Sequence, residues 1–153
     1  MHSSGKHLIC DFKNVTNTKL LNSKLELKLM CKDLCMNNEL TILGELEHEF
    51  SPQGCSFIFL LSESHLSVHT FPEREHLAFD LYSCRQYEDN TIYINLFLEL
   101  CKKLGTSAQQ CTYNILDRTF LQPLRKVEPN FQPLGKVEPN RDILDFDPLG
   151  FHF

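Results

Sequence analysis

Between Ser62 and Cys84 the sequence gathers most of the side chains that could do covalent or acid–base chemistry. The run is Ser62-Glu63-Ser64-His65-Leu66-Ser67-Val68-His69-Thr70-Phe71-Pro72-Glu73, followed by Asp80-Leu81-Tyr82-Ser83-Cys84. On an extended chain His65, Ser67, His69 and Phe71 project to one side, and Leu66, Val68 and Thr70 to the other. One face can therefore be a site. Residue types alone leave several readings open. The polar face can be a solvated strand surface. Cys84 and His69 can form a nucleophile pair. His65, His69 and His76 offer metal ligands, but no paired cysteines or helical His-Glu motif accompanies them, so no metal is expected.

These residues need elements to hold them. His7 to Phe12 alternates Leu8, Cys10 and Phe12 against His7, Ile9 and Asp11, a period-two strand pattern. Leu40 to Phe50 and Cys55 to Ser62 read as strands paired in a hairpin across the turn Ser51-Pro52-Gln53-Gly54. Leu66 to Phe71, Leu77 to Ser83 and Cys111 to Leu116 complete the strands. Thr18 to Asn37 carries both strand-like and helix-like spacing of its leucines, and its length predicts a helix. Asn95 to Leu104 predicts a second helix, with Leu96, Leu100, Cys101 and Leu104 on one stripe and Gly105 at its end. Short links favour antiparallel pairing. The expected fold is α+β, a two-layer sandwich in which an antiparallel sheet carries two helices packed on one face.

Length and composition fit one core: 153 residues, 42% hydrophobic and 23% charged. A net charge of -5 with scattered basic residues argues against a nucleic-acid partner. The longest clean apolar run, Phe57 to Leu61, is too short to span a bilayer, and the N-terminus lacks a signal-peptide stretch, so a cytoplasmic protein without membrane contact is expected. Seven cysteines, an odd number, fit reduced thiols.

The chain changes character near residue 120, because five of the seven prolines follow Phe120. The expected division is a domain over 1–120 and a proline-rich extension over 121–153. Within that extension residues 121–130 (LQPLRKVEPN) and 131–140 (FQPLGKVEPN) agree at eight of ten positions. So short a duplication cannot build a core. Phe131, Phe146, Phe151 and Phe153 are its candidate docking residues.

The Ser62–Glu73 segment resembles the prokaryotic-type S-adenosylmethionine decarboxylase family, whose pattern is close to Ser-Glu-Ser-His, three intervening residues (aliphatic or Thr, any residue, aliphatic), then His-Thr-Trp-Pro-Glu. Ser4-Gly5-Lys6-His7-Leu8, Pro52-x-Gly54 with Ser56, and Asp80-Leu81-Tyr82-Ser83-Cys84 extend the likeness over roughly the first 120 residues. The resemblance implies that the chain cuts itself between Glu63 and Ser64. The Ser64 hydroxyl would attack the Glu63 carbonyl to form an ester, and loss of the Ser64 α-proton would expel the acyl chain. Hydrolysis of the resulting dehydroalanine leaves a pyruvoyl group, which takes the place of pyridoxal phosphate as an electron sink, with no metal or dissociable cofactor. By the same resemblance His69 is the processing base, Ser56 assists it, and Cys84 is the proton donor in decarboxylation. Phe50 and Phe71 are implied to stack on the adenine, and Glu73 to lie near the ribose. The implied product is decarboxylated S-adenosylmethionine, the aminopropyl donor for spermidine, made by a homodimer whose sites draw on both protomers.

Two positions depart from the family pattern. Phe71 stands where tryptophan is usual, which keeps an aromatic face and loses the indole donor. Arg85 stands where glycine usually follows the cysteine, adding bulk and a permanent cation. Both departures touch the substrate side. Arginine or ornithine therefore remain alternative substrates for the same chemistry, and an inactive regulatory subunit is a third reading.

Overall fold

A computed structural model describes residues 3–119. The expected boundary near 120, the duplicated segment and its phenylalanines lie outside the described residues. The elements run β1 (Ser3–Phe12), α1 (Thr18–Leu21), α2 (Lys24–Asn37), β2 (Ile42–Glu49), β3 (Cys55–Leu61), β4 (Ser64–Phe71), a 3-10 turn (Pro72–Arg74), β5 (His76–Ser83), α3 (Thr91–Leu104) and β6 (Thr112–Thr119). The strands form one six-stranded sheet in the order β2-β3-β4-β5-β1-β6. Every neighbouring pair is antiparallel.

Alternation along each strand decides what each face meets. Phe59, Leu66, Leu81 and Leu8 lie in one row across four strands, and all four are buried. That row and its neighbours Phe57, Leu61, Val68, Leu77, Phe79, Cys10 and Phe12 face the helices. Helix α3 packs there through Tyr93, Leu96, Phe97, Leu100, Cys101 and Leu104, spaced three and four residues apart. The Phe97 ring stacks on Phe12 at 5.6 Å. Helix α2 adds Leu27, Met30, Cys31, Leu34 and Cys35. Each fully buried Leu or Phe contributes about 1.5–3 kcal/mol. Truncating Leu100 to alanine would cost about 2–5 kcal/mol through lost contacts and the cavity left behind.

The helix expected over 18–37 is two helices. The Ser23 hydroxyl accepts from the Glu26 N–H at 3.2 Å and starts α2, ending α1 within one turn. Helix α3 starts at Thr91, four residues before its expected start. Asp89 Oδ1 takes the Thr91 N–H at 2.8 Å, a local cap that the apolar stripe does not reveal. Gly105 ends α3 at φ +66°, with Thr106 N–H on the Cys101 carbonyl.

Six of the seven cysteines are buried and Cys84 is exposed. Among the described residues no helix is long and apolar enough to cross a membrane.

Candidate active site

Strands β3 and β4 are joined by a two-residue turn, Ser62–Glu63, pinned by the Ser62 N–H on the Thr41 carbonyl at 2.9 Å. Ser64 leaves that turn with φ +150°, a region that residues with a Cβ rarely occupy. Strain of this kind costs on the order of 1–3 kcal/mol and persists where the surroundings impose it. Two contacts impose it here. The Cys84 N–H donates to the Glu63 carbonyl at 2.9 Å, and the Thr41 N–H donates to Glu63 Oε2 at 3.2 Å. The Ser62 hydroxyl, the backbone donors and the nearby Arg85 cation hold the Glu63 side-chain carboxyl below its usual range.

Cys84 is set by its neighbours. Ser83 is buried, pairs with Ser64 across the sheet, and accepts the Arg85 N–H on its hydroxyl at 3.1 Å. Gly5, at φ +141°, lets β1 pass directly beneath: a Cβ there would meet the Ser83 carbonyl oxygen at 2.5 Å and Cys84 Cα at 2.9 Å. Tyr93 stands within electrostatic reach of Cys84, 1% exposed, its hydroxyl without a hydrogen-bond partner among the described residues. Burial pushes this phenol up to about 12, so it stays a neutral donor.

Ser56 and His69 face each other across β3 and β4, with Ser56 Oγ 2.7 Å from His69 Nδ1. One residue further along, the Thr70 hydroxyl takes the Cys55 N–H at 2.8 Å and fixes that register. Phe71 stacks on His76 at 5.5 Å and 17°, and Phe50 sits edge-on to His48 at 4.7 Å. Both phenylalanines are about two-fifths exposed, at 43% for Phe50 and 40% for Phe71, which leaves ring surface for a planar partner. Glu73 is exposed in the 3-10 turn.

The eight sequence-selected residues thus form two groups at opposite ends of the sheet. Glu63, Ser64 and Cys84 make one, and Phe50, Ser56, His69, Phe71 and Glu73 make the other. Five residues of β4 separate Ser64 from His69, about 16 Å at ~3.3 Å per residue, whereas proton transfer needs about 2.6–3.2 Å. Within one protomer the histidine does not reach the serine.

The open face between the two ends holds polar and apolar surface. His7 Nε2 stands 3.3 Å from Asp80 Oδ1, and Ser67 donates to Asp80 Oδ2 at 3.3 Å. Burial lowers His7 against the opposing pull of Asp80. Gly44, Leu46, Ile58, Leu60 and His65 line a groove of about 390 Å³ on this face. Leu46 is 75% exposed, and its neighbours across the hairpin Ile58 and Leu60 are also exposed, an apolar patch of the kind that marks an interface.

Sequence reasoning did not select the Cys84 amide, Thr41, Gly5 as a spacer, or Tyr93. The Ser4–Leu8 motif contained Gly5, but its role depends on a strand almost eighty residues away.

Residues 6–118 match the family described as S-adenosylmethionine decarboxylase. A curated S-adenosylmethionine decarboxylase proenzyme of Brevibacillus brevis is 33% identical over 123 residues, covering 80% of this chain and 92% of that protein. One from Caldicellulosiruptor saccharolyticus is 30% identical over 125 residues, covering 82% and 97%. The crystal structure of the adenosylmethionine decarboxylase from Aquifex aeolicus superposes with a TM-score of 0.67 at 20% identity, over 80% of this chain and 96% of that one, and shares the fold.

Proposed function

The chain belongs to the S-adenosylmethionine decarboxylase family, and we propose that it is a proenzyme that makes its own catalytic carbonyl by breaking the Glu63–Ser64 bond. Its reaction is the decarboxylation of S-adenosylmethionine, which supplies the aminopropyl donor of polyamine synthesis. The decarboxylase domain is residues 1–120, carrying 121–153 as an extension, and it works in the cytoplasm with reduced thiols.

The observation that carries the proposal is the Cys84 N–H on the Glu63 carbonyl oxygen, 2.9 Å away. A fixed donor on that oxygen stabilises the negative charge that develops when the Ser64 hydroxyl adds to the carbonyl carbon. Collapse breaks the C–N bond and leaves an ester between Glu63 and the Ser64 oxygen. Removal of the Ser64 α-proton then breaks the Cβ–O bond, and Glu63 departs as a carboxylate. The remaining dehydroalanine tautomerises to an imine, takes up water and releases ammonia. The strained φ of Ser64 is relieved as its α-carbon becomes planar.

A pyruvoyl group at position 64 would supply an electron sink for the electrons released with carbon dioxide, so the reading calls for no metal or dissociable cofactor. The residues around Ser64 fit such a group: a backbone N–H from Cys84 beside it, an exposed Cys84 thiol to return a proton, and, within electrostatic reach of Cys84, the Tyr93 hydroxyl, which has no hydrogen-bond partner among the described residues. Phe50 and Phe71 offer ring faces to the adenine and the sulfonium charge, and Glu73 a carboxylate to the ribose.

The proton acceptor comes from a second copy. A two-fold axis set outside the open face, opposite the middle of β4 and perpendicular to it, reverses the strand in the second copy, which lays the Ser64 end of one copy against the His69 end of the other. The exposed Leu46, Ile58 and Leu60 give that contact apolar surface to bury. Ser56 orients His69 through the 2.7 Å contact at Nδ1 and leaves Nε2 for the Ser64 proton of the partner subunit.

Carbon dioxide release from S-adenosylmethionine, arginine and ornithine, run beside a denaturing gel, tests the proposal. The gel should show chains of residues 1–63 and 64–153, and S-adenosylmethionine should be the fastest of the three. Faster release from arginine or ornithine would reassign the substrate. An intact chain that releases nothing would overturn the enzyme reading.

A further inference from the structure

We infer that Arg85 captures the α-carboxylate that cleavage creates on Glu63, and so keeps the end of the shorter chain docked beside Cys84. The inference rests on the proposed cleavage between Glu63 and Ser64 and extends it to the state after the bond is broken.

Two sets of contacts bring Arg85 and Glu63 together. Cys84 holds the Glu63 carbonyl oxygen through its N–H at 2.9 Å, and Arg85 is the next residue. The Arg85 backbone is itself fixed by its own N–H on Ser83 Oγ at 3.1 Å. On the other side, the guanidinium donates through Nη1 to the Glu39 carbonyl at 2.8 Å and through Nη2 to the Glu39 carboxylate. Glu39 lies two residues before Thr41, whose N–H holds Glu63 Oε2 at 3.2 Å. Residues 39–41 and 83–85 thus clip Arg85 and Glu63 into one corner.

Cleavage changes the charge in that corner. Before it, the Glu63 main chain offers a neutral carbonyl to one N–H donor. Afterwards the same carbon carries a full negative charge, next to the Glu63 and Glu39 side-chain carboxylates. A third like charge added to two repels both unless a cation is shared among them. A guanidinium has five N–H donors in a planar fork that fits carboxylates, and Glu39 engages only two of its nitrogens. Shifting one Nη from Glu39 to the new end keeps the Cys84 N–H on its oxygen and adds a charge-assisted bond. A glycine after the cysteine, as the family pattern has, supplies no such fork.

The test compares Arg85→Met and Arg85→Lys in two backgrounds, the self-cleaved protein and the uncleavable Ser64→Ala precursor. Thermal midpoints and the rate at which a carboxypeptidase trims the 1–63 chain are read for each. Arg85→Met should lower the midpoint further in the cleaved protein than in the precursor, and Arg85→Lys should restore part of the difference. Trimming should be at least about tenfold faster in cleaved Arg85→Met, the factor carried by one charge-assisted bond. Equal midpoint losses in both backgrounds with unchanged trimming would overturn the inference, leaving Arg85 as a tie for Glu39. Should Arg85→Met fail to fold, trimming of cleaved Arg85→Lys against wild type decides, an unchanged rate counting against capture. A wild-type chain that stays intact on the gel would instead defeat the proposed function, and the carboxylate with it.

Discussion

Ser64 and His69 sit on one strand, five residues apart, at register positions that belong to opposite faces of the sheet. Ser64 pairs with the buried Ser83, on the side of the helices, and His69 pairs with Ala78 on the open side. An odd separation on a period-two strand has this consequence, and ~16 Å of strand adds to it. Within one protomer the two side chains do not meet, and the proposed dimer is the arrangement that would supply His69 from the partner subunit.

Complementation tests this. Ser64→Ala and His69→Ala should each stay uncleaved alone. Co-expressed, they form mixed dimers in which the His69→Ala chain keeps its Ser64 and receives His69 from the partner subunit. About half of the His69→Ala chains should then be cut, if copies pair at random as an isologous dimer permits. Cleavage of neither chain in verified mixed dimers would show that His69 acts within its own protomer or not at all.

The backbone of Ser64 makes a second expectation. At φ +150° a Cβ is strained and glycine is not, so Ser64→Gly should be the more stable of two uncleavable precursors. The gain over Ser64→Ala should be about 1 kcal/mol, the strain relieved less the extra unfolded-state freedom of glycine. Urea denaturation of the two variants gives the difference directly. Equal stability, or alanine ahead, would mean that residue 64 bears no strain.

Much of the fold was legible because its cause is local. Phe57, Phe59 and Leu61 alternate with exposed positions, and Leu96, Leu100 and Leu104 recur at helical spacing, so each element declares the face it buries. Local capping was harder to read: Ser23 splits the expected long helix and Asp89 extends α3 through single hydrogen bonds to backbone. The candidate site residues are singled out as a set by a family resemblance, but their division between two ends of the sheet is not signalled by the sequence. Spacing along β4 placed His65, Ser67 and His69 on one face, and Ser64 fell to the other. The Cys84 contact to Glu63 and the crossing of Gly5 beneath Cys84 join residues far apart in sequence, which no local pattern can signal.

Gly5 yields a prediction that separates position from chemistry. A methyl group 2.5 Å from the Ser83 carbonyl oxygen and 2.9 Å from Cys84 Cα has to displace backbone, at a φ that alanine already resists. Gly5→Ala should therefore cost about 1–3 kcal/mol. The same displacement pulls the Cys84 N–H from the Glu63 carbonyl, so self-cleavage should slow as well, though Gly5 supplies no reacting group. A time course of cleavage on a gel, with a melting curve, measures both. A variant that melts lower and cleaves at the wild-type rate would dissociate the amide from the reaction.

Acid sensitivity should come from the seam between α2 and β2. Lys24 lies 2.8 Å from Glu47 and 3.2 Å from Glu49, Lys28 2.8 Å from Glu45, and Lys32 2.8 Å from Glu45, with Lys28 also paired to Glu47. Hydrogen bonds from Lys24 and Lys28 hold the Glu47 carboxyl down at about 2. In the unfolded chain the same group titrates at about 4.3. A depressed folded value means that the folded state holds fewer protons than the unfolded one between those limits. The contribution is thus complete above about pH 4.5 and drains away as the pH falls towards 2. In the Ser64→Ala precursor, the urea midpoint should drop across that window, and Glu47→Gln should flatten the drop while leaving the slope above pH 5 unchanged. Because these groups are solvated, about 1 M salt should shrink the difference between the two proteins at neutral pH. Parallel curves for the precursor and Glu47→Gln from pH 5 to 2 would remove Glu47 from the acid response and leave it to other carboxylates.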